Sequence, residues 1–239
     1  MARVFIGYDK REDLAFRVCR ASLERQGPVG VSPIVEREMR RRGLYGRELT
    51  RQANGLLWDE ASAAACSTDF AFTRFLVPWL AEGQDFALFC DCDFLFTQPV
   101  AELFALADPR YAVQVRKHAF AVNESAKMDG QAQQRYPRKW WSALVLWNLR
   151  HPAHRRLALA DVSRRPGRWL HGFGWLDDSD IGDLPETWHW LEGYSPPSAD
   201  GRPPAAIHFT RGGPWFENWR KVAYGDLWTW ERARLAAGL

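Results

Sequence analysis

An α/β fold with a mostly parallel central sheet is what the sequence predicts, on three observations. Phe86-Ala87-Leu88-Phe89-Cys90 is an unbroken apolar run of strand length, the pattern of a strand covered on both faces. The chain opens on a second such run, Val4-Phe5-Ile6-Gly7, and an amphipathic helix follows at once, with Leu14, Val18, Cys19 and Ser22 on one face. Strand and helix patterns then keep alternating, as expected of helices layered over a parallel sheet. The 239 residues suit one α/β domain, and no linker-like stretch divides them, so a single domain over residues 1–239 is expected.

In chain order, Pro28 and Gly30 punctuate the end of the first helix, and residues 31–35 supply a second strand. Residues 36–51 are basic, with Arg40, Arg41 and Arg42 in a row, and read as a solvated face or loop. Ser67-Thr68-Asp69 offers capping side chains. Phe72, Phe75, Leu76, Trp79 and Leu80 then follow at i, i+3, i+4, i+7 and i+8, one apolar helix stripe closed by Gly83. The strand 86–90 runs directly into Asp91-Cys92-Asp93. A helix over 100–107 and strands over 112–115 and 143–147 continue the alternation. Of the 13 tryptophans, all but Trp58 and Trp79 lie in the second half, which glycine and proline interrupt often, as across 193–204. Trp79, Trp147, Trp228 and Trp230 are read as core, and the second half as packed over the sheet.

Composition narrows the function. Apolar residues at 46% and charged residues at 26% are ordinary for a globular protein and argue against extended disorder. The net charge of +3, from 32 basic and 29 acidic side chains, is too even for a nucleic-acid footprint but allows an anionic small substrate. No run approaches the roughly 18 apolar residues of a membrane span. Met1-Ala2-Arg3 enters the first strand with no room for a signal peptide. Cys19, Cys66, Cys90 and Cys92 have neither zinc-site nor disulfide-framework spacing, so reduced thiols and a cytoplasmic location are expected.

Chemistry concentrates at Asp91-Cys92-Asp93. A second acid-x-acid, Asp178-Ser179-Asp180, shows that the pattern alone says little. Position says more: open α/β sheets bind ligands beyond the carboxyl ends of their strands, where a buried strand delivers Asp91 and Asp93. Two ionised carboxylates so close repel, and a cation between them is the natural compensation. His208 lies in another short apolar run, Ala206-Ile207-His208-Phe209, ahead of Thr210-Arg211-Gly212-Gly213-Pro214-Trp215. Gly212 and Gly213 would let a phosphate approach the backbone, and Arg211 brings a forked donor for its oxygens. Trp140, Trp141 and Trp215 flank these motifs and could stack on a sugar or shape the rim.

In this order, Asp91-Cys92-Asp93 after its strand, the Asn148-Leu149 junction and His208-Phe209-Thr210-Arg211-Gly212-Gly213-Pro214-Trp215 resemble the retaining glycosyltransferases of family eight, the glycogenin-like enzymes of GT-A (Rossmann-like) fold. The opening Ile6-Gly7-Tyr8-Asp9 with Arg11-Glu12, Lys127-Met128-Asp129-Gly130 and Tyr136-Pro137-Arg138-Lys139 resemble a related bacterial branch. The resemblance spans nearly the whole chain. It implies that Gly7, Tyr8 and Asp9 contact a nucleobase and that Arg74 approaches the donor. It also implies that Asp91, Asp93 and His208 hold a divalent metal, and it counts Lys127, Asp129, Arg211, Gly212 and Gly213 with the substrate-binding residues. Asp178, with Asp177 beside it, is the implied acid near the donor sugar; read without the resemblance, these acids favour an exposed helix start. Two departures stand out. Gly213 replaces a lysine that neutralises phosphate in the family, a role open to Arg211 or Lys221, and Trp141-Ser142-Ala143 replaces an Asn-Ala-Gly.

The expected function is therefore metal-dependent transfer of a sugar from a nucleotide-diphosphate donor, UDP-linked and with retention, to a carbohydrate, lipid-linked or protein acceptor. Imidazole among oxygen ligands suits Mn2+ better than Mg2+. A nucleotidyltransferase is the alternative enzyme, but Gly7-Tyr8-Asp9-Lys10-Arg11 is not the phosphate loop it would want. A non-catalytic carbohydrate-binding protein would account for the tryptophans, yet it needs neither the paired acids nor the late histidine.

Overall fold

The computed structural model describes residues 1–53, 56–118, 138–198 and 201–238. Lys127, Asp129 and most of the segment that carries them lie outside the described residues. Strand β1 (Ala2–Tyr8) leads through the helix Asp13–Arg25 to β2 (Val29–Val35), and the two strands pair in parallel. Three short strands, β3 (Leu49–Arg51), β4 (Leu57–Asp59) and β5 (Ala64–Cys66), form a small antiparallel sheet. Next come β6 (Phe86–Cys90), β7 (Phe94–Phe96), β8 (Val113–Val115), β9 (Leu144–Asn148), β10 (Ile181–Asp183), β11 (Trp190–Leu191) and β12 (Ala206–His208). The main sheet has six strands in the order β10-β8-β9-β6-β1-β2, and a second sheet of three runs β11-β12-β7.

The α/β reading holds, but the main sheet is mixed. β1 is parallel to β2 and β6, and β10 to β8, whereas β9 runs antiparallel to both β6 and β8. Apolar strands fill its centre: Val4, Ile6, Leu88, Phe89, Leu144 and Trp147 are all fully buried. Removing side chains of this size from water contributes about 1.5–3 kcal/mol each. Gly7 has a steric reason to lack a side chain, since a Cβ there would stand 2.2 Å from the Phe70 ring.

Three local expectations change. The stripe 72–80 is split into a 3-10 turn, Thr73–Leu76, and a short helix, Val77–Leu80. Pro78 accounts for the break, because its ring excludes a continuous helix through the preceding turn. Trp230 is 50% exposed rather than core, lying under the guanidinium groups of Arg25 and Arg234. On the helix Gly225–Ala236 the buried side is marked by Trp228 and Glu231, and two residues past Trp228 the helix has turned away from it. The basic stretch is not uniformly solvated. Arg40 pairs with Glu36 and Arg41 with Glu38 on the helix Glu36–Arg41, but Arg47 is fully buried. Its Nε and Nη2 donate to the two oxygens of Asp59 at 2.7 and 2.6 Å, and its Nη1 to the carbonyls of Val162 and Arg165 at 3.0 and 2.8 Å. No described helix is long and apolar enough to cross a membrane.

Candidate functional site

The chain leaves the main sheet at Cys90 and enters the second sheet at Phe94, so Asp91-Cys92-Asp93 is the crossing between them. The crossing is pinned at both ends. The Asp91 N–H donates to the Ala143 carbonyl at 2.9 Å, and the Asp93 carbonyl accepts from the Phe209 N–H at 3.0 Å. Cys92 points inward, fully buried, and its thiol donates to Glu12 Oε2 at 3.0 Å. Burial first, then the nearby acids, push the Cys92 thiol up, so it stays protonated and is no ligand. All four cysteines are free thiols.

β12 brings His208 opposite Phe94 in register, and the imidazole stacks on the Phe94 ring with centroids 4.4 Å apart. His208 Nε2 is 3.2 Å from Asp93 Oδ1. Ligand atoms of Asp91, Asp93 and His208 all lie within 4.8 Å of one another. Ligands on an octahedral ion with bonds of about 2.2 Å stand about 3.1 Å apart at neighbouring positions, so the His208–Asp93 spacing fits a divalent cation without rearrangement. Two carboxylates and one imidazole also form a suitable donor set. Arg74, nearly buried, holds Asp91 from the other side: Nη1 is 2.8 Å from Asp91 Oδ1 and donates to the Ser142 carbonyl at 2.9 Å, while Nε donates to the Ala71 carbonyl at 3.0 Å. Arg74 thus anchors the Asp91 carboxylate and also lines the cleft.

These groups line a cleft of about 650 Å³, of the size that holds a small ligand. Asp91, Asp93, His208, Arg74, Arg211 and Gly212 lie on its wall, as do Trp140 and Trp215. Trp140 is buried and donates from Nε1 to Thr210 Oγ1 at 3.1 Å. The Arg211 guanidinium lies 3.2 Å from Glu192 Oε2 and packs over the rings of Tyr194 and Trp219. Gly193 makes room for it, since a Cβ there would stand 2.2 Å from the guanidinium carbon.

Gly7, Tyr8, Asp9 and Gly213 are not among the lining residues. Asp9 is 1% exposed, and its oxygens accept from the Arg11 N–H and guanidinium and from the Asp69 N–H. Burial works to raise the Asp9 carboxyl, but those bonds outweigh it and hold the group below the usual carboxylate range. Its carboxylate serves the turn after β1. Asp177 and Asp178 stand on an exposed 3-10 turn ahead of β10, with Asp178 86% exposed and paired with Arg138, and Asp177 with Arg156. Asp180 closes a capping box with Asp177, so the bland reading of these acids as helix-start residues describes their local contacts. Neither Asp177 nor Asp178 is among the lining residues, although Lys139 and Trp140, which follow Arg138 in sequence, are.

Lys139, the last residue of the Tyr136-Pro137-Arg138-Lys139 motif, lines the wall, and so do Arg168 and His171, which have no sequence signature. The His171 ring, driven well below its ordinary pKa by burial and then by Arg74 and Arg47, meets Ser142 Oγ through Nδ1 at 2.7 Å. His189 backs His208. The only hint of Arg168, His171 and His189 was residue type, and a lone histidine or arginine is no motif.

No model of a known protein family matches the chain. It is 42% identical over 233 residues to Protein CDI of Arabidopsis thaliana, covering 95% of this chain and 84% of the plant protein. Among solved structures, it resembles the bifunctional glycosyltransferase WbbM in its apo form, with a TM-score of 0.61 and 14% identity over 97% of this chain. That match spans 49% of WbbM, about half its length. It also resembles the galactosyltransferase LgtC in complex with donor and acceptor sugar analogues, with a TM-score of 0.58 and 11% identity, covering 97% of this chain and 95% of LgtC. At such identities the likeness establishes the fold, which is that of the GT-A glycosyltransferases.

Proposed function

The chain belongs to the family of the Arabidopsis Protein CDI, and from its GT-A fold and the cleft residues we propose that it is a metal-dependent glycosyltransferase acting on a nucleotide-sugar donor. The observation that carries this reading is the convergence of Asp91, Asp93 and His208 on the wall of a cleft that also holds Arg74, Lys139 and Arg168. Three cation-holding ligands beside three basic side chains suit a diphosphate better than a neutral glycan. LgtC, of the same fold, was captured with sugar analogues of donor and acceptor, which supports a donor and an acceptor for this chain.

In this reading Asp91, Asp93 and His208 hold a divalent cation, Mn2+ in preference to Mg2+ because of the imidazole. The cation would supply charge stabilisation to the leaving diphosphate. Arg74 keeps Asp91 aimed at the cation site, while Lys139, Arg168 and Arg211 line the path of the phosphates. Trp140 and Trp215 wall the sugar's side of the cleft. The donor is proposed to be a UDP-sugar, with the nucleobase toward Tyr8 and Asp9 at the end of β1. Retention and membership of the glycogenin-like family eight are proposed on the motif resemblance. The test is hydrolysis of a panel of nucleotide-sugars with Mn2+, Mg2+ or chelator. Hydrolysis of one donor that stops on chelation is expected; no turnover, together with no change in melting temperature on adding Mn2+ and UDP, would overturn the reading.

Asp178 is proposed as the acid nearest the donor sugar. A carboxylate facing the positive charge that develops at the anomeric carbon acts in the transition state more than in the ground state. Asp178→Asn keeps size and removes the charge, so steady-state kinetics should give a kcat lower by about tenfold to a thousandfold with the donor KM little changed. Near-normal turnover would leave Asp178 as a first-turn acid paired with Arg138.

A further inference from the structure

We propose that His189 is a positioning residue for the metal ligand His208: it holds the imidazole through Nδ1 and, by accepting the hydrogen bond of the Nδ1–H, leaves the Nε2 lone pair to face the cation. This inference rests on reading Asp91, Asp93 and His208 as the metal site.

The two histidines sit on paired strands. β11 begins at Trp190, directly after His189, and runs parallel to β12 with Leu191 opposite His208. The His189 N–H donates to the Glu186 carbonyl at 3.0 Å, which fixes the backbone at the mouth of the strand. His189 is fully buried and is not on the cleft wall, so it does not reach substrate. Its Nε2 is 2.9 Å from His208 Nδ1, and Phe94 packs against both rings, with centroids 5.1 Å from His189 and 4.4 Å from His208. The His208 ring is therefore fixed by a face, an edge and a strand.

A neutral imidazole carries one N–H and one lone pair. Among the described residues His189 Nδ1 has no hydrogen-bond partner, so before a cation binds, its proton is best placed on Nε2, donated to His208 Nδ1. The His208 proton is then on Nε2, facing Asp93 Oδ1 at 3.2 Å. A metal ligand must instead present the Nε2 lone pair. The His208 proton must then lie on Nδ1, with His189 Nε2 accepting it and the His189 proton on Nδ1, beside the His118 ring that stands T-shaped to it at 4.6 Å. No proton is gained or lost by the pair. A partner able both to donate and to accept serves both placements. An apolar side chain serves neither, and a glutamine, whose amide reaches the place of Nε2, can serve either by turning over.

The experiment measures the affinity of the full chain for Mn2+ alone by water-proton relaxation, in wild type, His189→Leu and His189→Gln. His189→Leu should weaken Mn2+ binding about 10- to 100-fold, as loss of such a partner typically does, and His189→Gln should stay within about threefold of wild type. If leucine is not tolerated by the fold, as read by circular dichroism, His189→Asn takes its place with the same expectation, since its shorter amide stops short of His208. Wild-type affinity in the leucine or asparagine variant overturns the proposal. So does equal weakening by both variants, which is the mark of lost packing rather than a lost bond. No Mn2+ binding by wild type would instead remove the metal site itself, and this inference with it.

Discussion

Asp93→Asn is expected to lower metal-dependent turnover by about 100- to 1000-fold while leaving the melting temperature of the metal-free protein unchanged or slightly raised. Asparagine has the size of aspartate, so the crossing between the sheets keeps its shape, and the Asp93 carbonyl still accepts from Phe209. What is lost is the charge facing His208 Nε2 at 3.2 Å. Without a cation, that charge lies beside the Asp91 carboxylate, which Arg74 pairs, and removing it relieves repulsion between the two acids. With a cation, its removal takes away one of two anionic ligands. The two measurements therefore move in different directions, which a general weakening of the fold would not produce. Kinetics with excess Mn2+ and a melting curve in chelator check it; near wild-type turnover would remove Asp93 from the site.

The second large effect concerns stability. Asp59→Ala should destabilise the protein by about 3–5 kcal/mol, because it leaves the fully buried Arg47 charge without its partner. At this chain length that corresponds to a fall in melting temperature of about 6–20 °C. The remaining bonds of Arg47, to Val162, Arg165 and Ser62, are to neutral acceptors and do not compensate a charge. Its guanidinium also lies only 3.8 Å from the centroid of the Phe72 ring, so no water has room on that face. Removing both charges in Arg47→Met with Asp59→Leu should recover most of the loss, since a buried pair is worth little against apolar packing. Denaturant midpoints for the three proteins decide it, and a loss below about 1 kcal/mol for Asp59→Ala would show that Arg47 reaches solvent. The pair also borders the cleft, since Asp59 forms part of its wall.

What the sequence revealed, and what it hid, follows from how local each signal is. The strand Phe86–Cys90 was legible because both its faces are covered, so apolarity is continuous and the acids mark its end. The direction of β9 was not, because a doubly covered strand looks the same read either way. Arg47 was hidden in a run of arginines, and its partner Asp59 is 12 residues away on another element. The residues drawn together as a metal cluster were named from two strand ends. The histidine behind them, 19 residues from His208, carries no pattern that would single it out. Asp9 shows the opposite case: its place after the first strand pointed to a ligand, while its burial and its bonds to Arg11 and Asp69 belong to the turn.

Because the chain changes sheets between Cys90 and Phe94, Asp91 is carried by one layer, and Asp93 and His208 by the other. The three-ligand cluster is in effect a gauge of how the two layers are aligned. A slip of one residue in the pairing of β7 with β12 would turn the His208 side chain to the opposite face and empty the site, although each sheet could remain well bonded within itself.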